Sequence, residues 1–397
     1  MKKFLLIAAM AAVALGSSAQ DYKFEKVWEV NNLTTLLPST NDVRQGIGMN
    51  GYYYVNDKRM TTDEDGNVVL EPTIYEIGEN GLTGRTFPGG LNCGISRDEA
   101  GNLIVSTASF PGVWGATAGL KVINPETGEV KDYIIPEEAA VQGRCDFIGT
   151  AKGDMMEDGE IFIVGATQGT QISRIAIAGG EIDYDNSYLM NCDGVSATTS
   201  TVLNYYVDAN GEDAVLYVTR NAPLKKMTFD GDNFAAANIS LPGKGACNGT
   251  FPFVFDGKEL FAYPTLPNYL DGFAIAENNA EAAMFDVAPT VAANGTAFQG
   301  NWVNAEVNGN EVLIYHYYPG VYLNVYRMSK EQAVVWELGD VNHDKTVDVA
   351  DVTTLITYVL NGSGEGFFET EADCDGAEGI DVADVTALIT YVLNGNW

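Results

Sequence analysis

The sequence predicts a mainly β protein, a six-bladed β-propeller followed by a small α-helical module. Three observations predict it. Short phrases centred on cysteine or glutamine recur every 47–55 residues through most of the chain. Each is followed by three or four β-forming runs separated by polar turns. Near the end, "DVADVTTLITYVLNG" (348–362) returns as "DVADVTALITYVLNG" (381–395), with the periodicity of a helix.

In chain order, "MKKFLLIAAMAAVALGSSAQ" comes first, with two lysines, an apolar run and a small-residue end. It reads as a secretory leader over 1–19, cleaved after Ala19. The run is too short for a membrane span, and no other segment approaches ~20 apolar residues. No cysteine follows it to carry a lipid anchor. The expected product is exported, secreted or held at the cell surface, with the periplasm as the alternative. The length divides into a large domain, 20–337, and a small one, 338–397, since single cores seldom exceed ~250–300 residues. Formal charge is -32, and -34 without Lys2 and Lys3. Such a surface excludes nucleic acid and anionic membranes as partners, and leaves calcium and neutral ligands open.

The large domain repeats. Cys93, Cys145, Cys192 and Cys247 are separated by 52, 47 and 55 residues, and Gln45 and Gln299 extend the period outward. Each position opens a β-forming unit, and a second strand follows in "GYYYVND", "NLIVSTA", "EIFIVGA", "AVLYVTR", "ELFAYPT" and "EVLIYHYY". A period near fifty with about four strands per unit is that of a propeller blade. "FEKVWEV" (24–30) is expected to complete the last blade and close the ring. Five or seven blades are the alternatives. The cysteines are expected to pack as small residues around the channel rather than form disulfides, because neighbouring inner strands are expected to lie beyond the ~7 Å Cα limit.

In this architecture the starts of the inner strands share one face with the loops between second and third strands. That face is the candidate ligand site. The strand starts bring Arg44, Asn92, Arg144, Asp146 and Asp193, and the loops bring Trp114, Tyr269, His316 and Tyr318, with Lys58, Arg59 and Arg220 on the rim. Rings beside amides, carboxylates and guanidinium groups suit a polysaccharide or a peptide. Tyrosines in propeller strands also pack simply between blades. Only two histidines exist, and His343 lies in the acidic C-terminal loop, so a histidine-dependent hydrolase would rest on His316 alone, with no nucleophile motif around it. Carboxylate-pair glycoside hydrolysis stays open, with Asp146 and Asp193 as candidates, although repetition alone accounts for their equivalence.

The C-terminal phrase is preceded each time by an acidic loop. In "DVNHDKTVDVAD" (340–351), Asp340, Asn342, Asp344, Asp348 and Asp351 take loop positions 1, 3, 5, 9 and 12, with the Thr346 carbonyl at position 7. In "DCDGAEGIDVAD" (373–384), Asp373, Asp375, Asp381 and Asp384 keep positions 1, 3, 9 and 12, Gly379 takes position 7, and Ala377 removes one ligand at position 5. This spacing wraps six to eight oxygens around one calcium ion. Val352, Leu355, Ile356 and Val359, and again Val385, Leu388, Ile389 and Val392, fall on one helical face.

Two such halves over 338–397 resemble the type I dockerin module, an EF-hand-like calcium domain. The resemblance implies up to two Ca2+ ions and docking to a cohesin-like protein on a cell-surface scaffold, read by the residues after position 9, here Val349-Ala350 and Val382-Ala383. Position 6, usually glycine, is Lys345 or Glu378. A left-handed residue other than glycine costs ~1–2 kcal/mol, so both sites are expected to be weakened, the second more because of Ala377. The resemblance implies that the ends of the module clasp, with Trp336 and Trp397 as the stacking rings; the alternative is that Trp336 belongs to the preceding domain. Three functions follow: a ligand-binding propeller docked by its C-terminus, a polysaccharide-active hydrolase or lyase docked the same way, or a structural cell-surface protein.

Overall fold

The computed structural model describes residues 13–15, 22–37, 43–58, 60–62, 64–65, 68–92, 94–106, 119–141, 143, 145–166, 168–196, 198, 200–220, 222–229, 234–245, 248–266, 272–289, 301–330, 336–364, 366–377 and 379–397. The chain separates into two compact units, Met1–Lys330 and Glu331–Trp397. Arg59, Cys93, Trp114, Arg144, Cys247, Tyr269, Gln299 and Glu378 lie outside the described residues.

The first unit is a propeller of six antiparallel sheets. Blade 1 holds Gly46–Met49, Tyr52–Asp57, Thr73–Gly78 and Gly81–Pro88, and blade 2 holds Ile95–Arg97, Leu103–Ser106, Gly119–Ile123 and Val130–Ile134. Blade 3 runs Lys152–Gly153, Gly159–Ile163 and Gln171–Ala178, with Glu181–Ile182 and Tyr188–Asn191 sharing its outer position. Blade 4 comprises Val202–Val207, Asp213–Val218, Leu224–Phe229 and Phe234–Ile239. Blade 5 has Phe251–Phe255, Lys258–Pro264, Phe273–Ala276 and Phe285–Val287, with Val13–Leu15 from the predicted leader paired on its edge. Blade 6 has Trp302–Asn308, Glu311–Tyr318 and Tyr322–Lys330, and Tyr22–Val30 supplies its fourth strand, closing the ring as "FEKVWEV" predicts.

Local chemistry sets these hairpins. Asn50-Gly51, Asp256-Gly257 and Gly179-Gly180 each place two successive residues at positive φ, between 52° and 77°. That is the backbone of a two-residue turn whose twist matches the strands it joins. Apolar strand faces then pack blade against blade. Between blades 5 and 6, the Phe24 ring stacks on Phe285 at 4.6 Å and on Tyr326 at 5.3 Å.

The inner strands approach more closely than the sequence reading expects. Ala151 N donates to Arg97 O at 3.0 Å, Tyr205 N to Thr150 O at 3.2 Å and Val303 N to Gly249 O at 3.0 Å, each across a blade boundary. Glycine makes this possible: a Cβ on Gly149 would lie 1.9 Å from Leu203 O, and one on Gly249 2.2 Å from Asn301 O. Large side chains fill the axis. Phe147 of blade 3 meets Trp302 of blade 6 at 5.1 Å, and Gln45 exchanges two hydrogen bonds with the Ile148 backbone. Cys145 and Cys192 are free and buried, but they fill gaps between blades 2 and 3 and between blades 3 and 4. Burial pushes the Cys145 thiol up to about 12 and the Cys192 thiol to about 11, so both behave as small apolar residues.

Candidate calcium and docking site

The second unit is built twice from one plan. Helices Val349–Asn361 and Val382–Asn394 each start from a capping box: the Asp348 carboxylate accepts from Ala350 N, and the Asp351 carboxylate accepts from Asp348 N. Asp381 and Asp384 repeat this in the second half. Each helix ends on a left-handed glycine, Gly362 or Gly395. Between the helices Val341, Val352, Leu355, Ala372, Cys374, Val385 and Leu388 form the core.

The loops fold their acids inward. Asp340, Asp344 and Asp351 bring carboxylate oxygens within 4.8 Å of one another, as do Asp373, Asp375 and Asp384. Oxygens bound to one calcium at about 2.3–2.6 Å can lie no farther apart than roughly 5 Å, so both trios fit the ion. Asp340 and Asp351 are buried, and desolvation together with the nearby Asp340 and Asp344 charges raises the Asp351 carboxyl above the usual range. A cation relieves that repulsion. Backbone N–H groups hold the frame: Asp344 N and Lys345 N donate to Asp340, and Asn342 N donates to Asp351 at 3.1 Å. The Thr346 hydroxyl donates to Asp344, and the Asn342 amide donates to its other oxygen. Asp348 and Asp381 stand outside the trios as helix caps.

Lys345 sits at φ 75° and His343 at φ 57°, so two left-handed residues of the first loop are not glycine. In the second loop Gly376 (φ 73°) and Gly379 (φ 99°) take the left-handed turns. Ala377 contributes only its N–H, to Asp375.

Trp336 and Trp397 both stack within the module, but on other rings rather than on each other. Trp336 stacks on His343 at 4.1 Å, and His343 stacks on Phe368 at 3.6 Å while bonding Glu371. Trp397 stacks on Tyr391 at 4.4 Å, and its ring edge closes over Gly339. The Tyr391 hydroxyl donates to Glu337, as its counterpart Tyr358 donates to Glu369.

Val349 and Ala350 are exposed at the start of the first helix, as are Val382 and Ala383 at the start of the second. Ile356 and Ile389, expected on the buried stripe, lie instead at its exposed edge.

The family model of the dockerin type I domain matches residues 338–393. Dockerin domains bind calcium, and the domain implies calcium-dependent docking to a cohesin. Proteins that carry a dockerin are typically extracellular or at the cell surface. Among the described residues no helix is long and apolar enough to cross a membrane. Comparison with curated proteins gives no match. Among solved structures, the chain is similar to the subtype N10 neuraminidase-like protein of A/little yellow-shouldered bat/Guatemala, at 10% identity and a TM-score of 0.44 over 78% of this chain and 98% of that one.

On the propeller, the sequence-predicted ligand residues separate by burial. Asp193 is exposed and Arg44 half-buried, whereas Asn92 and Asp146 are buried. His316 is 1% exposed, its ring 4.6 Å from Phe273 and 5.6 Å from Tyr322, and Tyr318 stacks on Tyr322 behind it. A cavity of about 360 Å³ opens instead toward the ends of the inner strands, lined by Arg97, Glu99, Tyr206, Val207, Val254 and Val307. Phe147 and Gln45 precede the inner strands of blades 3 and 1, and Trp302 opens that of blade 6. Both aromatics were missed in the sequence because nothing in its periodicity marks contacts between opposite blades.

Proposed function

We propose that the chain is an exported binding protein, whose propeller over 20–337 holds a carbohydrate or protein ligand and whose dockerin over 338–397 attaches it to a cohesin-type partner on a cell-surface scaffold. The observation that carries this reading is the duplicated acidic trio set beside exposed Val349-Ala350 and Val382-Ala383. Calcium ties loop to helix: Asp351 and Asp384 belong to the trios and also hold the N–H of the capping residue. An ion on the trio therefore fixes the first helical turn, where the docking residues stand. Two ions bind, the second more weakly because Ala377 supplies no oxygen.

The proposed ligand residues of the propeller are Arg44, Asn92, Asp146 and Asp193, and from the sequence Trp114, Arg144 and Tyr269, which lie outside the described residues. His316 and Tyr318, whose rings are buried, complete the set expected from the sequence. Two measurements test the reading. The full chain should bind a cohesin domain in calcium and release it in chelator. Its migration through gels containing individual polysaccharides should be retarded by one of them; unchanged mobility in every gel would turn the search toward a protein ligand.

A further inference from the structure

The cavity of about 360 Å³ lies where the inner strands end, away from the strand starts that carry the proposed ligand residues, and its lining divides by chemistry. Val207, Val254 and Val307 stand at or near the ends of the inner strands of blades 4, 5 and 6. Val207 and Val307 are each 41% exposed, apolar surface that the cores between blades leave uncovered. Blades 2 and 3 contribute Arg97, Asp98, Glu99 and Thr150 instead. Arg97 is half-buried and is the one cation of this lining among the described residues. Its Nη2 donates to Ala305 O at 3.1 Å, on the far side of blade 1, and it forms no ion pair among the described residues. The carboxylates around it are committed elsewhere. Asp98 accepts from Asn102 N at 2.7 Å and from Met155 N at 2.8 Å, and Glu99 accepts from Gly153 N at 2.8 Å. Glu306 accepts from Asn50 N at 2.7 Å and from the Tyr315 hydroxyl at 2.6 Å. A guanidinium carries five N–H donors, so most of those on Arg97 have no acceptor among the described residues. Desolvation lowers the pKa of Arg97 from the ordinary arginine value, as expected of a cation lacking a counter-ion.

We propose that this cavity binds a small monocarboxylate with an apolar body, its carboxylate paired with Arg97 and its body against Val207, Val254 and Val307. The guanidinium fork suits two carboxylate oxygens at once. The volume falls within the ~300–1,000 Å³ of small-molecule sites. Charge argues against other occupants. One cation offsets one negative charge, and a polyanion would meet Glu99 and a chain of net charge -32. An organic cation would meet Arg97, with Asp98 and Glu99 already holding N–H groups.

The test titrates hexanoate, 1-hexanol, acetate and hexylamine against the full chain, with binding followed by ligand-observed NMR. Hexanoate should bind with a Kd of about 1 mM or tighter, and hexanol and acetate at least about tenfold more weakly, since each offers only half of the contacts. Arg97→Met should weaken hexanoate about tenfold or more and leave hexanol unchanged, a split that a purely structural role for Arg97 would not produce. Because Arg97 also ties blade 2 to blade 6, Val307→Asp is the second variant. It sets a negative charge at an exposed position of the opening and should weaken hexanoate about tenfold while the thermal transition is kept. No binding of hexanoate at roughly 20 mM, equal affinity for hexanoate and hexanol, or hexanoate binding left unchanged by either variant would overturn the inference. Preference for hexylamine would overturn it in favour of a cation held by Asp98 and Glu99.

Discussion

Single residues should decide how strongly each loop would hold an ion. Asp351 belongs to the trio and receives two backbone N–H groups, so Asp351→Asn removes charge where three carboxylates meet. Calcium affinity of the first loop should fall by at least about tenfold, ~1.4 kcal/mol, in a calorimetric titration, with the second loop little changed. The reverse change is available at two positions. Lys345 is exposed at φ 75°, and Lys345→Gly should relieve roughly 1 kcal/mol of backbone strain and raise first-loop affinity by about fivefold. Ala377→Asp should restore the missing oxygen and narrow the gap between the two steps of the titration. The acidic spacing of both loops was legible in the sequence because spacing is a one-dimensional property, and it brings Asp340, Asp344 and Asp351, and Asp373, Asp375 and Asp384, together. The capping use of Asp348 and Asp381 was not, because an aspartate before a helix can serve either the ion or the N-terminal N–H groups.

At the scale of strands and blades, the contacts that matter are those between neighbouring sheets. Gly149 has Leu203 O where a Cβ would stand, so Gly149→Ala should force blades 3 and 4 apart. A loss of roughly 3 kcal/mol, read as a lowered thermal transition of the β signal, is expected. Blades 4 and 5 are joined by charge: Lys226 bonds Asp208 at 2.7 Å and Glu259 at 2.8 Å, and Tyr206 donates to the same glutamate. Burial opposes ionisation of Asp208, yet Lys226 and the N–H groups of Glu212 and Asn210 outweigh it and bring the carboxyl down to about 2. A carboxyl lowered by folding stabilises above its unfolded pKa and ceases to do so as the pH falls through its folded value. The Tm difference between wild type and Lys226→Met should therefore be full at pH 5 and shrink toward pH 2. Blade number was readable because the near-fifty period is written in the chain. The close inner ring was not, since the meeting of Phe147 with Trp302 depends on closure, which no local pattern records.

The whole molecule joins two units that are expected to differ in their dependence on metal. The propeller has apolar cores between its blades, and none of its described acidic groups forms a trio like those of the loops. The dockerin has a small core, and residues 340–397 set twelve acids against one lysine. Its like-charge repulsion grows when the loops close, unless an ion offsets it. Chelation should therefore abolish the helical signal of the module and its cohesin binding, while the β signal and the melting of the propeller persist. Adding calcium back should restore the helices, and at a free concentration of ~100 times Kd each site should contribute about 2.7 kcal/mol to the module alone. Two transitions are expected in calcium, of which only one moves with its concentration. A single transition that shifts as a whole would mean that the propeller also depends on the metal, and the two units would then have to be treated as one folding body.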